Sequence, residues 1–146
     1  MINIMKLFIF LVLMLLATGV NAAQEKVAVV KKTEHTCRVT ASTCELLSSG
    51  SSVFEGDILQ TGKNGYAGLS FSDGTTVALD ANSQFKINKY TYTPLKNTYS
   101  FDVLLSRGSA IYASGRLGKL SPSSVKFKTP TTIIAVRGTR FLVTVN

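Results

Sequence analysis

Between Phe54 and Ile87 the sequence alternates apolar and polar residues in short runs, and turn-forming pairs separate the runs at a constant interval. Asn64-Gly65, Asp73-Gly74 and Asn82-Ser83 follow one another nine residues apart. Asn-Gly and Asp-Gly supply the positive φ angles of tight hairpins, and turns every 8–12 residues or about that are the spacing of sandwich or barrel strands. Between the turns, Ala67, Leu69 and Phe71 share one face and Gly68, Ser70 and Ser72 the other. Thr75, Val77 and Leu79 then alternate with Thr76, Ala78 and Asp80. A period of two puts successive side chains on opposite faces of a strand, so these segments read as half-buried β-strands.

The same period continues in Phe85 and Ile87, in Phe101, Val103 and Leu105, in Val125 and Phe127, and in Phe141, Val143 and Val145. No segment past the first 22 residues sustains a helical period or joins an N-cap to a helical run. The expected fold is all-β, a single antiparallel jelly-roll-like sandwich. The nine-residue spacing also suggests a short β-solenoid, but the residues between the turns do not recur closely enough to favour it. Two stretches read as surface connections: Thr91 to Ser100 around Pro94, and the Gly-, Ser- and base-rich Ser114 to Ser124, the second as the more mobile. Ala23 to Lys32 reads either as a linker or as an edge strand through Val27 to Val30.

The front of the chain has a different character. Lys6 precedes an unbroken apolar run from Leu7 to Ala17, followed by the small residues Val20-Asn21-Ala22. That is the layout of a secretory signal peptide over 1–22 with cleavage near Ala22, and the run falls short of the ~20 residues a membrane span needs. Cys37 comes too late to be a lipidated residue at the cleavage site. The expected location is periplasmic or secreted. Without the leader the chain keeps 15 basic and 8 acidic residues, about +7, over about 124 residues. That is the size of one domain with one core. The chain divides into the leader (1–22), an N-terminal segment (23–52) that packs on the domain, and a β domain (53–146). The segment 23–52 carries the two cysteines, Cys37 and Cys44, which in an oxidising compartment are expected to form one local disulfide. A redox role fits less well, because six residues separate them where a redox motif has two.

Three stretches then stand out together. The first is Glu55-Gly56-Asp57-Ile58-Leu59-Gln60-Thr61-Gly62 with Asn64-Gly65-Tyr66-Ala67. The second is Phe71-Ser72-Asp73-Gly74-Thr75, running on to Leu79 and Asn82-Ser83. The third is Thr129-Pro130, followed by Val136-Arg137-Gly138-Thr139 and Phe141-Leu142-Val143. In this order and spacing they resemble the FecR domain, named after the regulator of ferric-citrate uptake, from about Val53 to Val145. The resemblance implies an extracytoplasmic all-β domain used in transmembrane signalling or as an envelope building block. The family's full-length regulators carry a cytoplasmic sigma-factor segment, a membrane span and a further small domain. Here a leader stands in front and the sequence given stops seven residues after Thr139, so a stand-alone exported version, without the sigma-factor role, is expected.

Gly56, Asp57, Gly62, Asp73 and Gly74 read as backbone devices of turns. A calcium loop from Asp73, Asp80 and Asn82 lacks the dense acidic spacing of such loops, so no metal site is expected. Arg137 lies in an apolar run where a charge is costly unless paired. The expectation is a bidentate bond to Asp57 or Asp73 that locks the last strand onto the turns; Pro130, Gly138 and Thr139 count with it as structural motif residues. The lone His35 beside Glu34 reads as an exposed loop residue, and no nucleophile motif accompanies it. No catalytic residues and no cofactor are therefore expected. Basic residues such as Lys86, Lys89, Lys96, Arg116, Lys119, Lys126 and Lys128 read as a solvated face or as attraction to anionic envelope material. Nucleic acid would suit the charge and Tyr90, Tyr92 and Tyr99, but export removes the opportunity. The expected partner is an envelope or membrane protein, or an anionic envelope polymer, with binding in place of catalysis.

Overall fold

A computed structural model describes residues 3–4, 19, 22–137 and 140–146. Most of the expected leader and the motif residues Gly138 and Thr139 lie outside the described residues. The strands are β1 (Lys26–Val39), β2 (Cys44–Leu46), β3 (Ser52–Phe54), β4 (Ile58–Phe71), β5 (Thr76–Leu79), β6 (Gln84–Thr93), β7 (Thr98–Ala113), β8 (Val125–Lys128), β9 (Ile133–Ala135) and β10 (Arg140–Val145). A one-turn helix, α1 (Arg116–Leu120), interrupts them. The fold is all-β, and the strands belong to one hydrogen-bonded sheet.

β5 and β6 both run antiparallel to β4 and to β7, β5 against Ala67–Ser70 and Ala110–Ala113, β6 against Ile58–Gln60 and Thr98–Arg107. They are one interrupted strand between two long ones. The interruption recurs in every neighbour. β1 breaks register between Glu34 and Thr36, with His35 at φ 44. β4 carries Gly62 and Gly65 opposite it, where a Cβ on Gly65 would come within 2.8 Å of the His35 carbonyl and 2.7 Å of the Gly62 nitrogen. Asn82, between β5 and β6, has φ 53, and Gly108 in β7 has φ 87. These irregularities lie side by side, so the sheet has a crease across its strands.

Polar side chains stitch the crease. The Thr36 hydroxyl donates to Tyr66 O (2.9 Å) and the Thr61 hydroxyl to Asp80 O (2.6 Å). Ser83 N–H donates to Thr61 Oγ1 (2.8 Å), and Ser109 N–H donates to Ser83 Oγ (3.0 Å). Thr36, Thr61 and Ser83 are buried, as expected where a bulge leaves backbone groups without ladder partners that must still be satisfied.

Folding at the crease lays the halves of the sheet face to face in a sandwich. Phe71 of β4 meets Phe101 of β7 at 5.0 Å and Tyr90 of β6 at 5.2 Å between ring centroids. Phe101 meets Tyr112 at 5.5 Å, and Phe127 of β8 meets Phe141 of β10 at 5.5 Å. Around these rings pack the fully buried Leu59, Val77, Phe85, Ile87, Val103 and Leu105. Each such side chain contributes roughly 1.5–3 kcal/mol by leaving water.

The strand faces follow the alternation, but several sequence expectations need correction. Asn64-Gly65 is not a hairpin turn: it lies inside the fourteen-residue β4. Asn82-Ser83 does not reverse the chain either, and of the three pairs Asp73-Gly74 alone joins two antiparallel neighbours. The other two mark the crease: Asn82 supplies a positive φ, and Gly65 leaves the room that the His35 carbonyl takes. The stretch from Thr91 to Ser100 is a tight hairpin around Pro94–Lys96, with β6 and β7 paired up to Thr93 and Thr98. Residues 23–32 are neither linker nor edge: Val27, Ala28 and Val30 are core residues of β1, which β4 pairs on one side and β2 and β3 on the other. Ser114 to Ser124 wraps α1 and a 3-10 turn around a fully buried Leu117. One strand pair, β7 with β8, is parallel, and the antiparallel remainder does not match the stacked coils of a solenoid.

Candidate functional site

The hairpin between β4 and β5 places Asp73 inside the sandwich, 3% exposed. Its carboxylate accepts four bonds. Oδ1 takes the Tyr90 hydroxyl (2.9 Å) and the Thr75 N–H (3.2 Å). Oδ2 takes the Thr75 hydroxyl (2.6 Å) and the Leu117 N–H (3.0 Å). The Asp73 N–H donates to the Tyr90 oxygen (3.0 Å), and the Asp73 carbonyl accepts from Arg116 N–H (2.9 Å). One side chain thus joins a turn, β6 and the start of α1. Gly115 lets the helix approach, since a Cβ there would stand 2.2 Å from the Thr75 nitrogen. Burial, and after it the Asp73 charge, raises the Tyr90 hydroxyl well above the ordinary phenol range. A phenol that holds its proton so tightly is a structural donor and no acid or base at neutral pH.

Asp57 closes the turn between β3 and β4, with Gly56 before it at φ 88. Its Oδ2 accepts from Phe54 N–H (2.9 Å) and lies 3.1 Å from Arg38 Nε as an ion pair. Arg38 also donates to Ser52 O, reaches Glu45 at 3.5 Å and lies over the Phe54 ring at 5.6 Å. The hairpin that carries Arg38 is held by the Cys37–Cys44 disulfide, with Cα atoms 5.3 Å apart. Asp102 forms a third charged contact: Lys128 Nζ donates to it at 2.8 Å across the parallel β7–β8 pair, and Asn88 Nδ2 at 3.1 Å from β6 on the other side. Burial works to raise the Asp102 carboxyl, but these two donors and the nearby lysine charges outweigh it and hold the carboxyl below its ordinary value.

Arg137 is not where the sequence suggested. It is exposed, and among the described residues no carboxylate lies within ion-pair distance of it. Asp57 is already engaged by Arg38, and Asp73 is enclosed by hydroxyl and amide donors, so neither carboxylate has room for it. Arg137 borders a cleft of about 730 Å³, with Ala135 and Val136 on its own side and Ser114, Gly118, Lys119, Pro122 and Ser123 opposite. Among the described residues no acidic one lines it. Behind Gly118 stands the fully buried Tyr112, whose hydroxyl burial drives upward in pKa. Pro130 lies apart, in the turn from β8 to β9 that Thr129 and Thr132 close. Gly62 sits on the crease, where its carbonyl accepts from Asn82 N–H at 3.0 Å.

His35 is exposed beside Glu34 at 4.0 Å, and the cysteines are bonded to each other. Among the described residues no three His, Cys, Asp or Glu side chains group so as to hold a metal, and no helix is long and apolar enough to cross a membrane. Sequence reasoning missed Arg38 and Leu117, and it missed the buried role of Tyr90. Tyr90 was hidden by a register shift between Ile87 and Lys89, which puts position 90 on the inner face where strict alternation would put 89. Leu117 left a weaker signal, one of two leucines, with Leu120, in the otherwise polar stretch behind Gly115.

Among known families, the one described as FecR protein matches residues 57–146. The span opens at Asp57 and takes in the Asp73 hub, the cleft and every strand from β4 to β10, while β1, β2 and β3 precede it. No curated protein and no solved structure matches the chain. Because that span covers more than half of the 146 residues, the chain belongs to the FecR family, whose domains are associated with signal transduction in the cell envelope.

Proposed function

We propose that this chain is an exported, non-catalytic binding module of envelope signalling, and that the cleft between α1 and Arg137 is where it meets a membrane protein. The observation that carries the reading is the contrast in chemistry around that cleft. Asp57 and Asp73 are consumed in holding turns together, whereas Lys119 and Arg137 border an open cleft with no carboxylate in its lining. Pockets with a few convergent polar groups on a largely apolar wall are the usual form of a recognition site.

The test is crosslinking in the producing cell, with a photoreactive amino acid in place of the exposed Ser123 and, as control, of the exposed Lys63. A discrete adduct with a membrane protein from position 123 alone supports the proposal. No adduct, or the same adducts from both positions, contradicts it. Fractionation with mass spectrometry of the mature N-terminus tests the export reading, with Ala23 the expected first residue. The excess of basic residues favours a second reading, a structural or adhesive component that binds anionic envelope polymer. That reading requires sedimentation with purified wall polymer that is lost at high salt, and its absence rejects it.

A further inference from the structure

The charge of this chain is not spread evenly along it. After Asp102 there are seven basic residues, Arg107, Arg116, Lys119, Lys126, Lys128, Arg137 and Arg140, and no acidic one, so the last 44 residues carry +7 of the total of +8. These residues build the second half of β7, α1 and β8 to β10. Lys128 alone of the seven has a carboxylate partner among the described residues. A region whose own sequence supplies no counter-charge attracts an anionic partner from outside.

The shape of the region narrows the partner. β9 is the outermost strand of its branch, paired to β8 on one side and, among the described residues, to nothing on the other. The cleft begins where β9 ends: Ala135 closes the strand, and Val136 and Arg137 continue along the cleft wall. An open strand edge presents a row of backbone donors and acceptors that only another extended backbone can match. The wall mixes Ala135, Val136 and Pro122 with the two cations and two serines. A flat headgroup surface would fill such a concave, partly apolar lining poorly.

Resting on the reading of the cleft as the contact site, we propose that it takes an acidic, extended peptide segment of the partner protein. The segment pairs along the outer edge of β9 and sets its carboxylates between Lys119 and Arg137, with small apolar side chains against Val136 and Pro122.

The probe is a fluorescein-labelled peptide of alternating Glu and Val, about eight residues long, an ordinary strand length. Its binding to the purified protein is followed by anisotropy. Beside it run a peptide of the same length and charge in which the two central valines are replaced by proline, which cannot donate to a strand edge, and vesicles containing anionic phospholipid. We expect the unbroken peptide to bind and the proline peptide and vesicles not to. The double variant Lys119→Ala, Arg137→Ala should weaken binding about tenfold, the scale for two exposed ion pairs. Lys63→Ala with Lys89→Ala, which removes the same charge from exposed positions elsewhere, should change it less than about twofold. Equal binding of the proline peptide or the vesicles, equal losses in the two double variants, or no peptide binding would each overturn the proposal. If Ser123 crosslinks to a membrane protein while the peptide fails, the peptide inference falls and the contact site stands; if Ser123 captures nothing, the contact site falls first.

Discussion

Asp73 and Arg137 belong to two parts of one motif set, yet Asp73 is 3% exposed with four donors on its carboxylate, and Arg137 is exposed with no carboxylate in ion-pair distance among the described residues. Asp57 resembles Asp73: its carboxylate is held by Arg38 and by the Phe54 amide. Acids held in this way cannot be offered to a ligand without breaking the turns they organise. An exposed base at the rim of a cleft costs the fold nothing when it binds. The acidic stretches therefore explain how the domain stands up, and the basic end is where recognition is to be sought.

The comparison can be broken first at Asp73. Asp73→Ala leaves the Tyr90 hydroxyl and the Thr75 and Leu117 amides without an acceptor inside the sandwich, and should cost about 3–5 kcal/mol in urea unfolding. A loss under about 1 kcal/mol would mean that water replaces the carboxylate and that the hub is not structural. The crease comes next. Gly108→Ala puts a Cβ 2.5 Å from the Ser83 Cα at a φ of 87, and left-handed strain plus overpacking should cost about 2–4 kcal/mol. A smaller effect attaches to Asp102, which retains 18% side-chain exposure. Its carboxyl is depressed in the fold, so its contribution is present above the ordinary carboxylate range and disappears as pH falls through the folded value. Asp102→Asn should thus be about 1 kcal/mol less stable near neutrality, with the gap closing in acid. A gap that does not change with pH would show that the Lys128 pair contributes nothing through charge.

How far the sequence led differs between the faces and the folds of the sheet. Alternation is local, so the buried sets Ala67, Leu69, Phe71 and Val77, Leu79 were readable from spacing alone. The crease was half readable. Asn64-Gly65 and Asn82-Ser83 announce backbone that leaves the ordinary strand conformation, but whether such backbone reverses a chain or bends it depends on the neighbouring strand, which the local sequence does not contain. The partners of the acids were not legible for the same reason. Arg38 and Asp57 meet because β1 folds over at His35, and Tyr90 faces Asp73 because a bulge after Ile87 shifts its phase. Arg137 was assigned a carboxylate on the sound premise that a charge among apolar residues needs one. The premise failed because Val136 turns inward while Arg137 turns out beside the cleft.

The most direct measurement is urea unfolding of Arg137→Ala beside the unaltered protein. If the basic end is held out for recognition, the midpoint and slope stay the same and stability changes by less than about 0.5 kcal/mol. A loss approaching that of Asp73→Ala would show instead that Arg137 is bound into the fold, and would contradict the division of labour between the two ends of the motif set.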